Sequence, residues 1–117
     1  MVRAINSDRA AAHHNPVPNA AVVHGVLVTS SILGKTLDSD EYPADRGEQT
    51  ALAFAYLEAI LEEAGASSQD VVKLDLYFAD KSDRMHANEH WLRLWPDPTK
   101  RPARQAHQVV LPEGCCL

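Results

Sequence analysis

Cysteine is nearly absent: the 117 residues contain two, Cys115 and Cys116, and they are adjacent. A disulfide needs facing Cβ atoms, and neighbours in a strand point to opposite faces, so the pair makes a poor staple. It is expected as two half-buried thiols rather than a bridge, a metal pair or a redox switch. Glycine is also scarce, with 5 in the chain, and no Gly-rich phosphate loop of either standard form occurs. No G-x-S-x-G elbow is present, and neither cysteine has a catalytic motif around it. The apolar runs are too short to span a bilayer. The first residues lack the basic and apolar regions of a secretory signal, so the cytoplasm is the expected location. Positive charge is outnumbered: 11 Lys and Arg against 16 Asp and Glu give a net charge of -5. With the basic residues scattered, no nucleic-acid or membrane partner is expected.

What is present is an ordinary soluble composition, 45% hydrophobic and 23% charged, sufficient for one domain. Residues 1–15 are polar and end at His13-His14-Asn15-Pro16, so a flexible N-terminal arm is expected, followed by a single domain over 16–117. Ala20 to Ser30 is β-prone and reads as a hairpin turning at His24-Gly25. Residues 34–44 read as a loop. Asp45 opens a helix with a D-x-x-E capping box to Glu48, and Gly65 closes it. Between them Ala53, Leu57, Ile60 and Ala64 recur at helical spacing, joined by Phe54 and Leu61. Val72, Leu74, Leu76 and Phe78 alternate with polar neighbours and predict a strand buried on one face. Ser82 or Asp83 starts a second helix with Met85, Asn88, Leu92 and Trp95 on one side, stopped by Pro96. Ala103 to Val110 reads as a strand, Pro112-Glu113-Gly114 as a turn, and Cys115 to Leu117 as the start of another strand. This order predicts one sheet with both helices on one face. The other face is left for a partner subunit to cover.

The sharpest formal motif is His86-Ala87-Asn88-Glu89-His90, which fits H-x-x-E-H. Two histidines at i and i+4 share a helix face and could grip zinc, but a third ligand and far more chain would be needed. A solvent-facing helix side holding two histidines is the expectation, and no metal site is assigned. His24 reads as a turn residue. His107 alternates with Arg104 and Ala106, which places it on the opposite sheet face from both.

Six segments in order then resemble one family. Arg101-Pro102-Ala103-Arg104 with Leu111-Pro112 resembles the P-A-R-S … L-P signature of the RidA (YjgF-like) reactive-intermediate deaminase superfamily. Val28-Thr29-Ser30-Ser31 resembles its T-S-G-Q strand, Pro43-Ala44-Asp45 with Gln49 its P-A-D … Q helix entry, and Leu57 to Gly65 its L-x-A-I-L-E-A-A-G. Asp70-Val71-Val72-Lys73 is similar to D-V-V-K, and Asp83 with Asn88 to D-F-x-x-V-N. Members are also known as endoribonuclease L-PSP or translation-inhibitor proteins.

The resemblance implies an α+β, chorismate-mutase-like fold: a single mixed sheet with two helices on one face. It also implies a homotrimer with a central barrel and clefts between subunits. It further implies hydrolysis of a 2-imino or enamine acid to a 2-keto acid and ammonia, without metal or cofactor, in a small-molecule carboxylate site. Arg104 is the residue expected to clamp the carboxylate, because a guanidinium presents a planar fork to it. Ser30, Ser31, Asn88, Ala106 and Val17 fall at the expected substrate-binding positions. Three of these depart from the pattern: Val17 stands for a tyrosine, Ser31-Ile32 for Gly-Gln, and Ala106 for a cysteine. The family's last-strand glutamate would align at position 118, one past Leu117. The alternative expectations are a non-catalytic small-molecule or protein-binding trimer of the same fold, or a subfamily hydrolase in aromatic or amino-acid catabolism.

Overall fold

The computed structural model describes residues 1–117. Five strands and two α-helices follow the order β1 (Arg3–Ile5), β2 (Ala20–Val23), β3 (Val26–Thr29), α1 (Arg46–Glu63), β4 (Lys73–Phe78), α2 (Arg84–Leu94) and β5 (Ala103–Gln108). The class is mixed α+β, as expected, but the strands do not form one sheet. Strands β1, β2 and β3 make an antiparallel sheet, and β4 pairs in parallel with β5. No ladder joins β3 to β4, and the two sheets are linked instead through α1.

The β2–β3 hairpin turns where expected. Val23 faces Val26, and His24 and Gly25 both take positive φ, 51° and 75°. Two positive-φ residues make the loop whose twist matches that of the flanking strands. The N-terminal segment corrects its expectation. Arg3–Ile5 pairs with Ala20–Val22, and Ile5 and Ala10 are buried. Its polar composition hides this, because the burial of Ile5 depends on pairing with Ala20, fifteen residues downstream.

Helix α1 is bounded as the sequence indicates. The Asp45 carboxylate accepts from the Glu48 backbone N–H at 2.9 Å, without the reciprocal bond of a full box. Beyond Ala64 the chain leaves through Gly65 at φ 76°, the left-handed geometry that glycine adopts at no steric cost. The helix feeds two clusters. Phe54, Leu57 and Leu61 pack with Leu76, Phe78, Ala87 and Trp95, while Tyr56 and Ile60 pack with Ile5, Ala10 and Ala20. At its first turn the Gly34 backbone lies so close that a Cβ would sit 2.1 Å from the Gln49 carbonyl oxygen.

Helix α2 buries a different stripe from the expected one. Met85 and Leu92 are exposed, whereas Ala87 is fully buried and Trp91 and Leu94 pack against the core. Trp95 is buried but follows the helix, and its indole N–H donates to the Ser68 carbonyl at 2.8 Å. Counting Trp95 as helical rotates the inferred face and produces the error.

The C-terminal residues also differ from expectation. Residues 115–117 form no strand. The Ala79 N–H donates to the Cys116 carbonyl at 3.1 Å, but the Cys116 N–H is taken by the Gln49 side chain at 3.0 Å, so a ladder does not develop. Both thiols are buried rather than half-buried, at 5% and 4% exposure. Burial pushes each thiol above its ordinary value, which keeps it as an unreactive thiol.

Candidate functional site

Strand β5 sorts its side chains by alternation. Leu74 and Leu76 of β4 lie beside Arg104 and Ala106, on the side that packs against the core with α2. Tyr77 lies beside His107 on the opposite face. There His107 stacks on Tyr77 at 4.6 Å and meets Asp75 at 3.1 Å. The expected separation of His107 from Arg104 and Ala106 is therefore what the register shows.

Arg104 is half-buried against α2. Its Nη1 donates to Asn88 Oδ1 at 2.8 Å, and its guanidinium carbon lies 5.2 Å from the centre of the Trp91 ring. A guanidinium over an indole face is attracted by the ring quadrupole. The planar group is thus held along one edge and over one face. No carboxylate pairs with it, and its remaining N–H donors have no partner. Burial, and then the nearby Arg84 guanidinium, lower its proton affinity from the ordinary value. An arginine remains charged at neutral pH regardless.

Of the sequence-predicted residues, Arg104, Asn88 and Ala106 share this part of the molecule. Val17, Ser30 and Ser31 do not join them. They flank the β1–β3 sheet, where the Ser30 N–H donates to the Asn19 carbonyl at 2.9 Å and the Val17 N–H to the Asn15 carbonyl at 2.8 Å. Asn88 contacts the arginine itself, so within one protomer it orients the fork. Trp91 and Arg84 were missed by sequence reasoning. The available signal was the spacing Arg84, Asn88, Trp91, at i, i+4 and i+7 on one helix face.

The H-x-x-E-H pattern does not build a centre. His90 stacks on Phe54 at 5.2 Å, so it is a packing residue rather than a solvent-facing one, and His86 lies 4.0 Å from Asp83. No three metal-ligating side chains converge anywhere in the chain.

A second polar region has every group satisfied. The buried Gln49 amide donates to the carbonyls of Pro43 and Gly114, both at 2.7 Å, and accepts from the Cys116 N–H. Arg46 pairs with the buried Asp83. A cleft of about 460 Å³ lies beside them, lined by Tyr42, Arg46, Gln49, Cys115 and Cys116 among others, and Arg104 is not part of it. Burial foremost pushes the Tyr42 hydroxyl up to about 12.

Comparison with known proteins follows the same outline. The sequence profile described as Endoribonuclease L-PSP matches residues 7–113. The structure of RidA from the Antarctic bacterium Psychrobacter is 32% identical and superposes with a TM-score of 0.87, covering 97% of this chain and 92% of that one. Escherichia coli TdcF, solved with bound serine, is 26% identical with a TM-score of 0.83, covering 97% and 91%. The chloroplastic Reactive Intermediate Deaminase A of Arabidopsis thaliana is 27% identical over 107 residues, which span 91% of this chain and 56% of that protein.

Proposed function

This chain belongs to the Endoribonuclease L-PSP family, which includes the RidA proteins, and on that premise we propose that it hydrolyses a 2-imino or enamine acid to the 2-keto acid and ammonia. The observation that carries the proposal is Arg104: a half-buried guanidinium, oriented by Asn88 and Trp91 and left without an acid of its own. A carboxylate-bearing metabolite supplies the missing partner through two charge-assisted hydrogen bonds. Held by that handle, the imine carbon is presented to one water. The water oxygen bonds to the imine carbon as one water proton passes to nitrogen, giving a carbinolamine. The second proton then moves from the new hydroxyl to nitrogen, the C–N bond breaks, and ammonia leaves as the keto carbonyl forms. The arginine contributes orientation and charge stabilisation. Two relatives named as reactive intermediate deaminases support the reaction class, and a relative solved with bound serine supports a small amino-acid-like ligand.

The proposed assembly is a homotrimer in which the exposed sheet faces meet as a central barrel and Arg104 lies in a cleft between subunits. Val26 and Val28 are 62% and 66% exposed on the side of β3 turned away from the core. Exposed β-branched residues in a row favour a partner surface. In that arrangement the Val17, Ser30 and Ser31 region of one subunit completes the Arg104 site of the next. The assay generates 2-imino acids with an amino-acid oxidase and follows keto-acid release. Acceleration by the protein that disappears in Arg104→Ala is the expected result. No acceleration over buffer across several amino acids would sink the reaction, and a monomer in sedimentation would contradict the assembly.

A further inference from the structure

Arg104 is not the only cation without an acid on this side of the molecule. Arg84 opens α2 and lies one and two turns before Asn88 and Trp91, on the same helix face. Those two residues are the ones that hold Arg104. Neither guanidinium forms an ion pair, although Arg9, Arg46 and Arg93 each find one. Arg84 is also near enough to disfavour the charged form of Arg104. Two like charges gathered at one helix face, Arg84 from α2 and Arg104 from β5, disfavour each other. A ligand with a single carboxylate neutralises one of them, and a ligand with two neutralises both.

We propose that the Arg104 site prefers substrates with two acidic groups, the α-carboxylate bound by Arg104 and a side-chain carboxylate bound by Arg84. Within the deaminase reading, on which the reaction but not the binding rests, this assigns the imino forms of acidic amino acids as the substrate class. Asn88 and Trp91 act as positioning residues. They fix the guanidinium plane, so that the spacing to Arg84 selects the length of the ligand.

The test compares 2-oxoglutarate with 2-oxopentanoate, two stable keto acids of equal carbon number that differ by the terminal carboxylate. Calorimetric titration of the intact protein at low salt should show 2-oxoglutarate binding about tenfold tighter, which is about 1.4 kcal/mol. The ratio should shrink as ionic strength rises, because exposed charges are screened. Arg84→Gln should bring the ratio to about one, and Arg84→Glu should take it below one. Arg84 is exposed at the start of its helix, so neither change threatens the fold. A wild-type ratio near one, or a ratio unchanged in Arg84→Gln, would overturn the proposal. The imines of glutamate and norvaline, generated by oxidases, separate the two readings. If neither is turned over while the diacid preference and its Arg84 dependence persist, the deaminase reading fails and the paired-cation site stands. If both are turned over at equal kcat/KM and the two keto acids bind equally, the reverse holds.

Discussion

Asp83 and Arg84 are neighbours in sequence, and they belong to regions with opposite polar economies. Asp83 is turned inward and paired with Arg46, beside a Gln49 amide whose donors and acceptor are all used. Arg84 is exposed on the α2 face that holds Arg104, and neither forms an ion pair. The first region closes its own hydrogen bonds and ties the loop before α1 to the segment around Cys116. The second is left short of negative charge. A buried polar group that is satisfied contributes to structure, while one that is oriented but unsatisfied waits for something outside the chain.

Substitutions should separate the two regions, and the largest effect is expected at Arg104. Arg104→Ala should lower kcat/KM for imine hydrolysis by about a hundredfold or more, the loss of two charged hydrogen bonds. Its urea midpoint should stay close to wild type. A comparable fall in stability would erase the distinction, since it would make Arg104 a structural residue. Gln49→Leu should do the converse. It leaves the Pro43 and Gly114 carbonyls and the Cys116 N–H without partners, at a cost of about 2–4 kcal/mol read in denaturant unfolding. Arg46→Ala should cost less, about 1–2 kcal/mol, because it strands the buried Asp83 but Arg46 itself is 53% exposed. The smallest effect is expected on the outer face of β4. The His107 hydrogen bond, ahead of Lys73, holds the Asp75 carboxyl below its ordinary 3.8. Its stabilising contribution is therefore present above pH 4 and fades as pH falls through the lowered value. Asp75→Asn should lower stability slightly at pH 7, and its curve should converge with wild type as the pH falls through the lowered value. A steep loss at pH 7 instead would show that this pair matters to assembly.

Much of the fold was legible where local chemistry decides it. Asp45, Gly65 and the spacing from Ala53 to Leu61 define α1, and His24-Gly25 defines the hairpin, because caps and turns are read over a few residues. Elements whose existence depends on distant partners were not. Strand β1 is recognisable once Ala20–Val22 lies beside it, and Cys116 fails to extend a ladder because a glutamine sixty-seven residues earlier takes its N–H. The site divides in the same way. Arg104 and Asn88 were readable from segments resembling the family, whereas Trp91 was passed over because the inferred face of α2 was turned by including Trp95. Arg84 carries no motif, and its interest lies in what the structure fails to put beside it.

Helix α1 lends one side to the Leu76–Phe78–Trp95 cluster and another to the Ile5–Ala20 cluster. Neither sheet has a hydrophobic interior without it, and three short antiparallel strands or two parallel ones are marginal alone. Loss of the helix would remove both halves together. The protomer should therefore melt in a single cooperative transition, with amide protons of β2 and β4 exchanging through the same global opening rather than in two steps.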